Sequence, residues 1–416
     1  MQTNLSPELA AQPVGLLAQQ LLSNCVHCGF CNATCPTYQL LGDELDGPRG
    51  RIYLIKQMAE GQQATAKTRA HLDRCLTCKN CETTCPSGVQ YGRLLEIGRQ
   101  WVQIQNPARP LAQRVLRWAL KEGLTRSYIF NPAMQIGRIF RPFLPAVLQK
   151  KIPLSNSSSS KKIPNSSSFQ ETMLFLEGCV QPGMLPNINH ATQRVFAKLH
   201  IQLIAPPAAG CCGAIRLHLS DEPGALQDMR RNIDAWWPLI QQEQIQTIVM
   251  NAAGCGVTVK DYGHLLQNDL AYAKKAQVIS AMTKDISEIL PKYAEQLTTQ
   301  ITPKKSASVI YHPPCTLQHG QKIRGNVEEL LSKIGIQVNL CADSHMCCGS
   351  AGTYSILQAN LSNQLRDQKV SQLVQAGSTY QATEIVSGNV GCISHLQNDS
   401  LPVRHWIEII DDLLPA

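Results

Sequence analysis

The sequence predicts an α+β multidomain chain: a helical N-terminal domain held by metal-binding cysteines, then two duplicated α/β domains with mostly parallel sheets. Three observations carry this expectation. Two cysteine blocks of identical spacing lie within the first 86 residues. Farther along, three cysteine-bearing motifs recur at offsets of 136, 136 and 137 residues, which marks an internal duplication. Short apolar runs in that region alternate with segments of helical spacing, the pattern of parallel strands joined by helices.

The N-terminal blocks read CVHCGFCNATCP and CLTCKNCETTCP, each with the spacing C-x2-C-x2-C-x3-C-P. This is the bacterial ferredoxin pattern for two [4Fe–4S] clusters. Two-residue gaps let the backbone curl around one cluster, and the fourth cysteine, on a stiff turn before proline, reaches the other. Cys25, Cys28, Cys31 and Cys85 are therefore expected on one cluster, and Cys75, Cys78, Cys81 and Cys35 on the second. Structural zinc sites use CxxC pairs without the third regular cysteine and the trailing Cys-Pro, so a zinc-stabilised interaction protein is the competing reading. Residues 7–24 read as a helix leading into the first block, with further helices over Arg51–Ala59 and Gly88–Trp101. An α-helical [4Fe–4S] ferredoxin domain is thus expected over 1–105.

Composition sets the outer bounds. The chain has 416 residues, 44% hydrophobic and 16% charged, which is ordinary for a globular protein with room for several domains. Its 17 cysteines are clustered rather than spread as in a disulfide scaffold. The opening MQTNLSPELAAQPVGLL lacks a basic stretch followed by an apolar core, and no apolar run reaches the roughly 20 residues of a spanning helix. A cytoplasmic location, where thiols stay reduced, is expected.

The net charge of +8 is local: residues 106–168 hold eleven Lys or Arg against Glu122, about +10, leaving about −2 for the rest. That distribution argues against nucleic-acid binding. A basic connector over 106–170 is expected, with helical pieces broken by Pro107, Pro110, Pro132, Pro142 and Pro145 and ending in the linker SNSSSSKKIPNSSS at 155–168. Its Trp and Phe residues among arginines admit contact with a membrane surface. The prolines argue against one long amphipathic helix, so packing on the chain's own domains or a partner subunit is the expectation.

The duplicated part places a first domain over 171–300 and a second over 305–416. The first carries FLEGC (Cys179), AAGCCG (Cys211, Cys212) and NAAGC (Cys255); the second carries YHPPC (Cys315), SHMCCG (Cys347, Cys348) and GNVGC (Cys392). Each cysteine follows an apolar run, so the set should converge at the carboxyl edge of a parallel sheet, where ligands usually sit. These eight cysteines form either a further metal site or a set of redox-active or small buried residues; the residues alone leave both readings open. Cys341 matches nothing in the first copy and reads as core. His312, His319 and His345 also lack counterparts there, which favours turn polarity or hydrogen bonding to sulfur over ligation. No G-x-G-x-x-G follows a strand, so no flavin or nicotinamide site is expected, and no substrate-oxidising machinery is evident.

The two blocks, FLEGCVQPGMLPNINHATQRV and the CCG repeats together resemble the iron–sulfur subunit of glycolate oxidase (glycolate dehydrogenase), over nearly the whole chain. The blocks and repeats alone would fit lactate-utilisation proteins, the anaerobic glycerol-3-phosphate dehydrogenase C subunit or heterodisulfide reductase subunits. The connecting sequences favour glycolate oxidase. The resemblance implies an electron-transfer subunit of an oxidoreductase complex, with the eight block cysteines as [4Fe–4S] ligands. Flavoprotein partner subunits would oxidise glycolate to glyoxylate, and electrons would leave for a quinone or another non-oxygen acceptor. It also implies peripheral association with the inner membrane. One departure stands out. Heterodisulfide reductase relatives end the repeat in C-x-x-C, whereas Cys255 is flanked at those positions by Ala252 and Thr258, and Cys392 by Asn389 and His395. That puts a noncubane cluster and disulfide chemistry in doubt.

Overall fold

The computed structural model describes residues 1–106, 108–143, 149, 152, 169–243, 245–301 and 308–415. The expected linker at 155–168 lies outside the described residues. The chain forms two compact units: residues 1–114 with 318–320 and 345–368, and residues 115–317 with 321–344 and 369–416.

The smaller unit is helical. Its framework is α1 (Pro13–Ser23), α2 (Pro48–Ala59), α3 (Ala66–Asp73) and α4 (Tyr91–Gln105). Prolines open α1 and α2, where the missing N–H costs nothing and the fixed φ suits the first turn. Ile52, Ile55 and Met58 of α2 meet Leu94, Leu95 and Trp101 of α4 and Leu21 and Leu22 of α1 in one buried cluster. Gly98 sets the approach of α2 to α4, because a Cβ there would stand 2.6 Å from Ile55 Cγ1.

The larger unit begins with α5 (Leu111–Thr125, whose first turn belongs to the smaller unit) and α6 (Ser127–Ile139). Pro132 lies inside α6 instead of ending it. Then come β1 (Glu171–Phe175), α7 (Pro186–Lys198), β2 (Ile201–Ile204), α8 (Glu222–Glu243), β3 (Ile248–Met250) and β4 (Thr283–Asp285). The strands pair in parallel in the order β2-β1-β3-β4. The second copy repeats this with β5 (Ser308–His312), α9 (Asn326–Lys333), β6 (Gln337–Leu340), α10 (Ala359–Thr379), β7 (Glu384–Ser387), β8 (Val403–His405) and α11 (Trp406–Leu413). Its order, β6-β5-β7-β8, is also parallel throughout. Helices cover such sheets on both faces, so their strands read as unbroken apolar runs; all five residues of β5 are buried. The duplication seen in cysteine spacing is therefore a duplication of topology.

The two copies are joined by polar contacts as well as packing. Arg194 of α7 forks onto Asp411 of α11 at 2.9 and 2.7 Å, with both side chains buried. The His405 ring, fully buried, bridges the Asn251 carbonyl and the Ile407 amide. Among the described residues no helix is long and apolar enough to cross a membrane.

Candidate metal centres

In the smaller unit the two cysteine blocks adopt matching loops. His27 and Gly29 have φ of 58° and 86°, and Thr77 and Lys79, two and four places after Cys75, have 55° and 59°. These left-handed residues turn each loop around a common centre. Short helices, Phe30–Ala33 and Asn80–Thr84, then carry Cys31 and Cys81, and the cysteine before proline in each block leaves in extended conformation.

The sulfurs fall into two groups drawn from both blocks. Cys31 lies in the field of Cys25, Cys85 and Cys28, and Cys81 in that of Cys78, Cys75 and Cys35. A pocket in front of the first group is lined by Cys25, Cys28, Cys31 and Cys85 together with Ile52 and Val89. Burial, with the neighbouring thiols, pushes Cys31 up to about 11. Burial likewise raises Cys25, and raises Cys81 far above the thiol range. Four thiols that converge on one point, the most buried of them held protonated by burial, suit a cationic metal group, which replaces their protons on binding. The donor sets therefore fit iron–sulfur clusters.

The surroundings of the groups differ. Around the first, Cys28 is exposed and Val26 and Phe30 present large apolar side chains to solvent. The second is enclosed by polar groups that the sequence reading did not single out. Tyr91 Oη donates to Cys75 Sγ at 3.5 Å and the Thr77 amide donates to it at 3.4 Å. Thr37 Oγ1 lies 3.3 Å from Cys35 Sγ. Arg51, fully buried in α2, donates to Thr37 Oγ1 and the His71 carbonyl and faces Asp46 at 3.5 Å. Burial works against its charge, but Tyr91, Cys75, Cys35 and Asp46 outweigh burial and hold its pKa above the ordinary value. An arginine beside the inward Ile52, Ile55 and Met58 of an apolar helix face was the available signal.

Part of the second repeat belongs to this unit. The His319 ring is hydrogen-bonded to Thr83 Oγ1 and donates to the His345 carbonyl, both at 2.8 Å. Asn80 Nδ2 donates to the same carbonyl at 3.3 Å. Cys347 and Cys348, both buried, follow directly. His319 thus ties this part of the second repeat to the second cysteine block.

In the larger unit Cys179 follows β1, Cys211 and Cys212 follow β2, and Cys255 sits in the short helix Ala253–Val259 after β3. Because the chain moves from β1 outward to β2 and back to β3, the β1–β3 boundary is the switch point where such sheets open. The four sulfurs form a continuous row: Cys179 contacts Cys211, Cys211 contacts Cys212, and Cys212 contacts Cys255. The contact with Cys211, together with burial, pushes the Cys179 thiol well above its usual range. Asn232 donates to the Cys211 carbonyl and Tyr262 to the Cys212 carbonyl, fixing the doublet. The third letter of CCG is explained by backbone geometry. Gly213 and Gly349 have φ of 92° and 89°, and their amides point at Cys211 Sγ and Cys347 Sγ at 3.4 and 3.5 Å. A Cβ on Gly349 would collide with the Ser362 carbonyl at 2.8 Å.

Cys315 and Cys392 of the second copy also lie in the larger unit, and Asn389 Nδ2 donates to Cys392 Sγ at 3.6 Å. Beside them His312 departs from the expected turn role. Its ring is fully buried, neither ring nitrogen has a hydrogen-bond partner among the described residues, and the ring approaches the Cys392 sulfur within 4.8 Å. Burial pushes it down to about 3, so it is neutral. The first copy has Leu176 at this place. Cys341 is buried, as a core residue would be.

Comparison with known proteins agrees with this architecture. Residues 21–89 match a 4Fe-4S dicluster domain, and residues 173–260 and 309–397 each match a cysteine-rich domain. The chain is 46% identical to the glycolate oxidase iron-sulfur subunit of Escherichia coli, over 100% of this chain and 99% of that one. It is 29% identical to a probable glycolate oxidase iron-sulfur subunit of Bacillus subtilis, over 90% and 88% of the two chains. Lactate utilization protein A of an Exiguobacterium species is 24% identical, over 56% of this chain and 94% of that one. The protein is an electron-transfer subunit with two [4Fe–4S] clusters. The chain belongs to the family of glycolate oxidase iron–sulfur subunits.

Proposed function

We propose that this chain carries electrons in a glycolate-oxidising complex, from flavoprotein subunits that convert glycolate to glyoxylate towards a quinone or another non-oxygen acceptor. The observation that carries the reading is the pair of four-sulfur groups, each drawn from both cysteine blocks, within one compact unit. Glycolate itself enters through the E. coli relative, 46% identical over its full length.

Cys25, Cys28, Cys31 and Cys85 would hold one cluster, and Cys75, Cys78, Cys81 and Cys35 the other. When bound, each cluster takes and gives single electrons, which divides the two-electron output of a flavin. The chain's own residues set the conditions for this. Tyr91 and the Thr77 amide donate to Cys75 Sγ and offset its negative charge, and Arg51 adds a fixed positive charge nearby. The exposed Val26, Cys28 and Phe30 make the first group's side the surface offered to an electron-donating partner. Cys179, Cys211, Cys212 and Cys255, and in the second copy Cys315, Cys347, Cys348 and Cys392, are the candidates for a further metal group. Work at the cytoplasmic face of the inner membrane suits a quinone acceptor.

Affinity purification of the chain from its source, with iron, acid-labile sulfide and flavin measured on whatever co-elutes, tests the reading. Iron and sulfide near eight atoms each per chain, with a flavoprotein present, is expected for two four-iron clusters. Cys78→Ser should remove one cluster and abolish acceptor reduction while the partners still bind glycolate. Zinc in place of iron, or undiminished acceptor reduction by Cys78→Ser, would sink it.

A further inference from the structure

The exposed face of α5 and α6 is the largest feature that electron transfer leaves unexplained. Ten of the twenty large hydrophobic side chains that stand exposed in the described residues fall between Leu111 and Phe143. On α6 they follow helical spacing. Tyr128, Ile129, Pro132, Ile136, Ile139 and Phe140 share one side, all exposed, with Tyr128 and Ile139 each at 71%.

The opposite side of α6 holds the helix on the protein through one arginine and the packing of a few side chains. Arg138 donates to the carbonyls of Gly183 and Met184, while Asn131 and Phe130 close over Gly183. Met134 is the one fully covered apolar residue there. The usual orientation of an amphipathic surface helix is thus reversed, with the apolar stripe outward. On α5, Val115 and Trp118 are exposed, while the lower half is anchored by Glu122, which takes Arg126 at 2.5 Å and Arg216 at 3.3 Å.

Charge selects the occupant. Glu122 is the only acid between residues 106 and 168, and residues 127–168 contain six Lys or Arg and no acid. An outward stripe of isoleucine and aromatic side chains, Tyr128 among them, in a segment whose formal charges past Glu122 are all positive matches an anionic lipid surface. Such a surface offers hydrocarbon and negative headgroups in adjacent layers, and Trp and Tyr prefer the boundary between them. A protein partner would have to supply an apolar groove rimmed by acids to match both features.

We infer that the outward face of α6, with Trp118 of α5, docks this chain onto an anionic membrane surface. The helices lie on the lipid and do not cross it. The inference deepens the quinone-acceptor reading above and rests on it only for its purpose, because lipid binding requires neither glycolate nor a flavoprotein.

The test is co-sedimentation of the cluster-loaded, full-length protein with vesicles of phosphatidylcholine alone, or with about one-third phosphatidylglycerol. Binding to the anionic vesicles, much weaker binding to neutral ones and weakening by salt are expected. Ile136→Gln with Ile139→Gln should lower the partition coefficient by about ten-fold or more, since two apolar side chains leave the interface. Both point outward, so iron content and thermal midpoint should stay at the parent values. Leu270→Gln, which alters an equally exposed side chain elsewhere in the larger unit, should leave binding unchanged. The inference is overturned if anionic vesicles fail to retain the parent protein, or if the double variant binds them as well as the parent. It is also overturned if the double variant keeps vesicle binding and loses the flavoprotein, which would mark a protein interface. Loss of vesicle binding with acceptor reduction by soluble dyes intact leaves the electron-transfer reading standing.

Discussion

Replacing Arg51 by methionine tests whether the buried cation organises the second sulfur group. The side chain is fully buried, and its guanidinium serves the His71 carbonyl at 2.8 Å, Thr37 Oγ1 at 3.1 Å and Asp46 at 3.5 Å. Removing one partner of a buried ion pair costs about 3–5 kcal/mol, because the other charge stays buried. Asp46 retains Arg74 at 2.8 Å and the His71 ring at 3.1 Å, which places the expected loss at the lower end, about 3 kcal/mol. That corresponds to about a hundred-fold shift in the folding equilibrium. Arg51→Lys keeps the charge but not the fork, so it should lose about half as much. The assay is anaerobic chemical denaturation, with a redox titration followed by electron paramagnetic resonance. Losing a positive charge beside Cys75 and Cys35 should also make one cluster's midpoint more negative. A methionine variant within about 0.5 kcal/mol of the parent, with both midpoints unmoved, would refute the reasoning.

Three further outcomes are expected. Cys85→Ser should abolish the same resonance signal as Cys25→Ser, and Cys35→Ser the same one as Cys75→Ser; pairing within blocks would show the reverse. His405 is neutral and buried, pushed down to about 3, while its unfolded counterpart protonates near 6.5. Between those values the unfolded chain holds the extra proton, so stability rises with pH in this window and is lost on acidification, by about 1.4 kcal/mol per pH unit. His405→Asn, which can still cap α11, should flatten that slope in pH-dependent denaturation; an unchanged slope would assign the acid sensitivity elsewhere. His312→Leu, which installs the first copy's residue, should stabilise metal-free protein by about 1–3 kcal/mol, because two unpartnered ring nitrogens leave the core. Destabilisation in the same measurement would mean that the ring has a role that its neighbours do not reveal.

The sequence alone determined whatever is local or periodic. Cysteine spacing named the cluster type, because only a few residues must curl around one metal group. The offsets of 136 and 137 residues exposed the duplication, and buried parallel strands read as apolar runs. What depends on partners distant in the chain was decided by tertiary structure. Arg51 looked like any helical arginine until Asp46, Thr37 and His71 closed over it. Residues 345–368 of the second repeat joined the unit of the cysteine blocks through His319 and Asn80, contacts that no periodicity encodes. The same holds for α6. Spacing can show that a helix has an apolar side, but whether that side turns inward depends on what anchors the other. Here Arg138 anchors it, with Phe130, Asn131 and Met134 packed beside it, and the apolar side faces out.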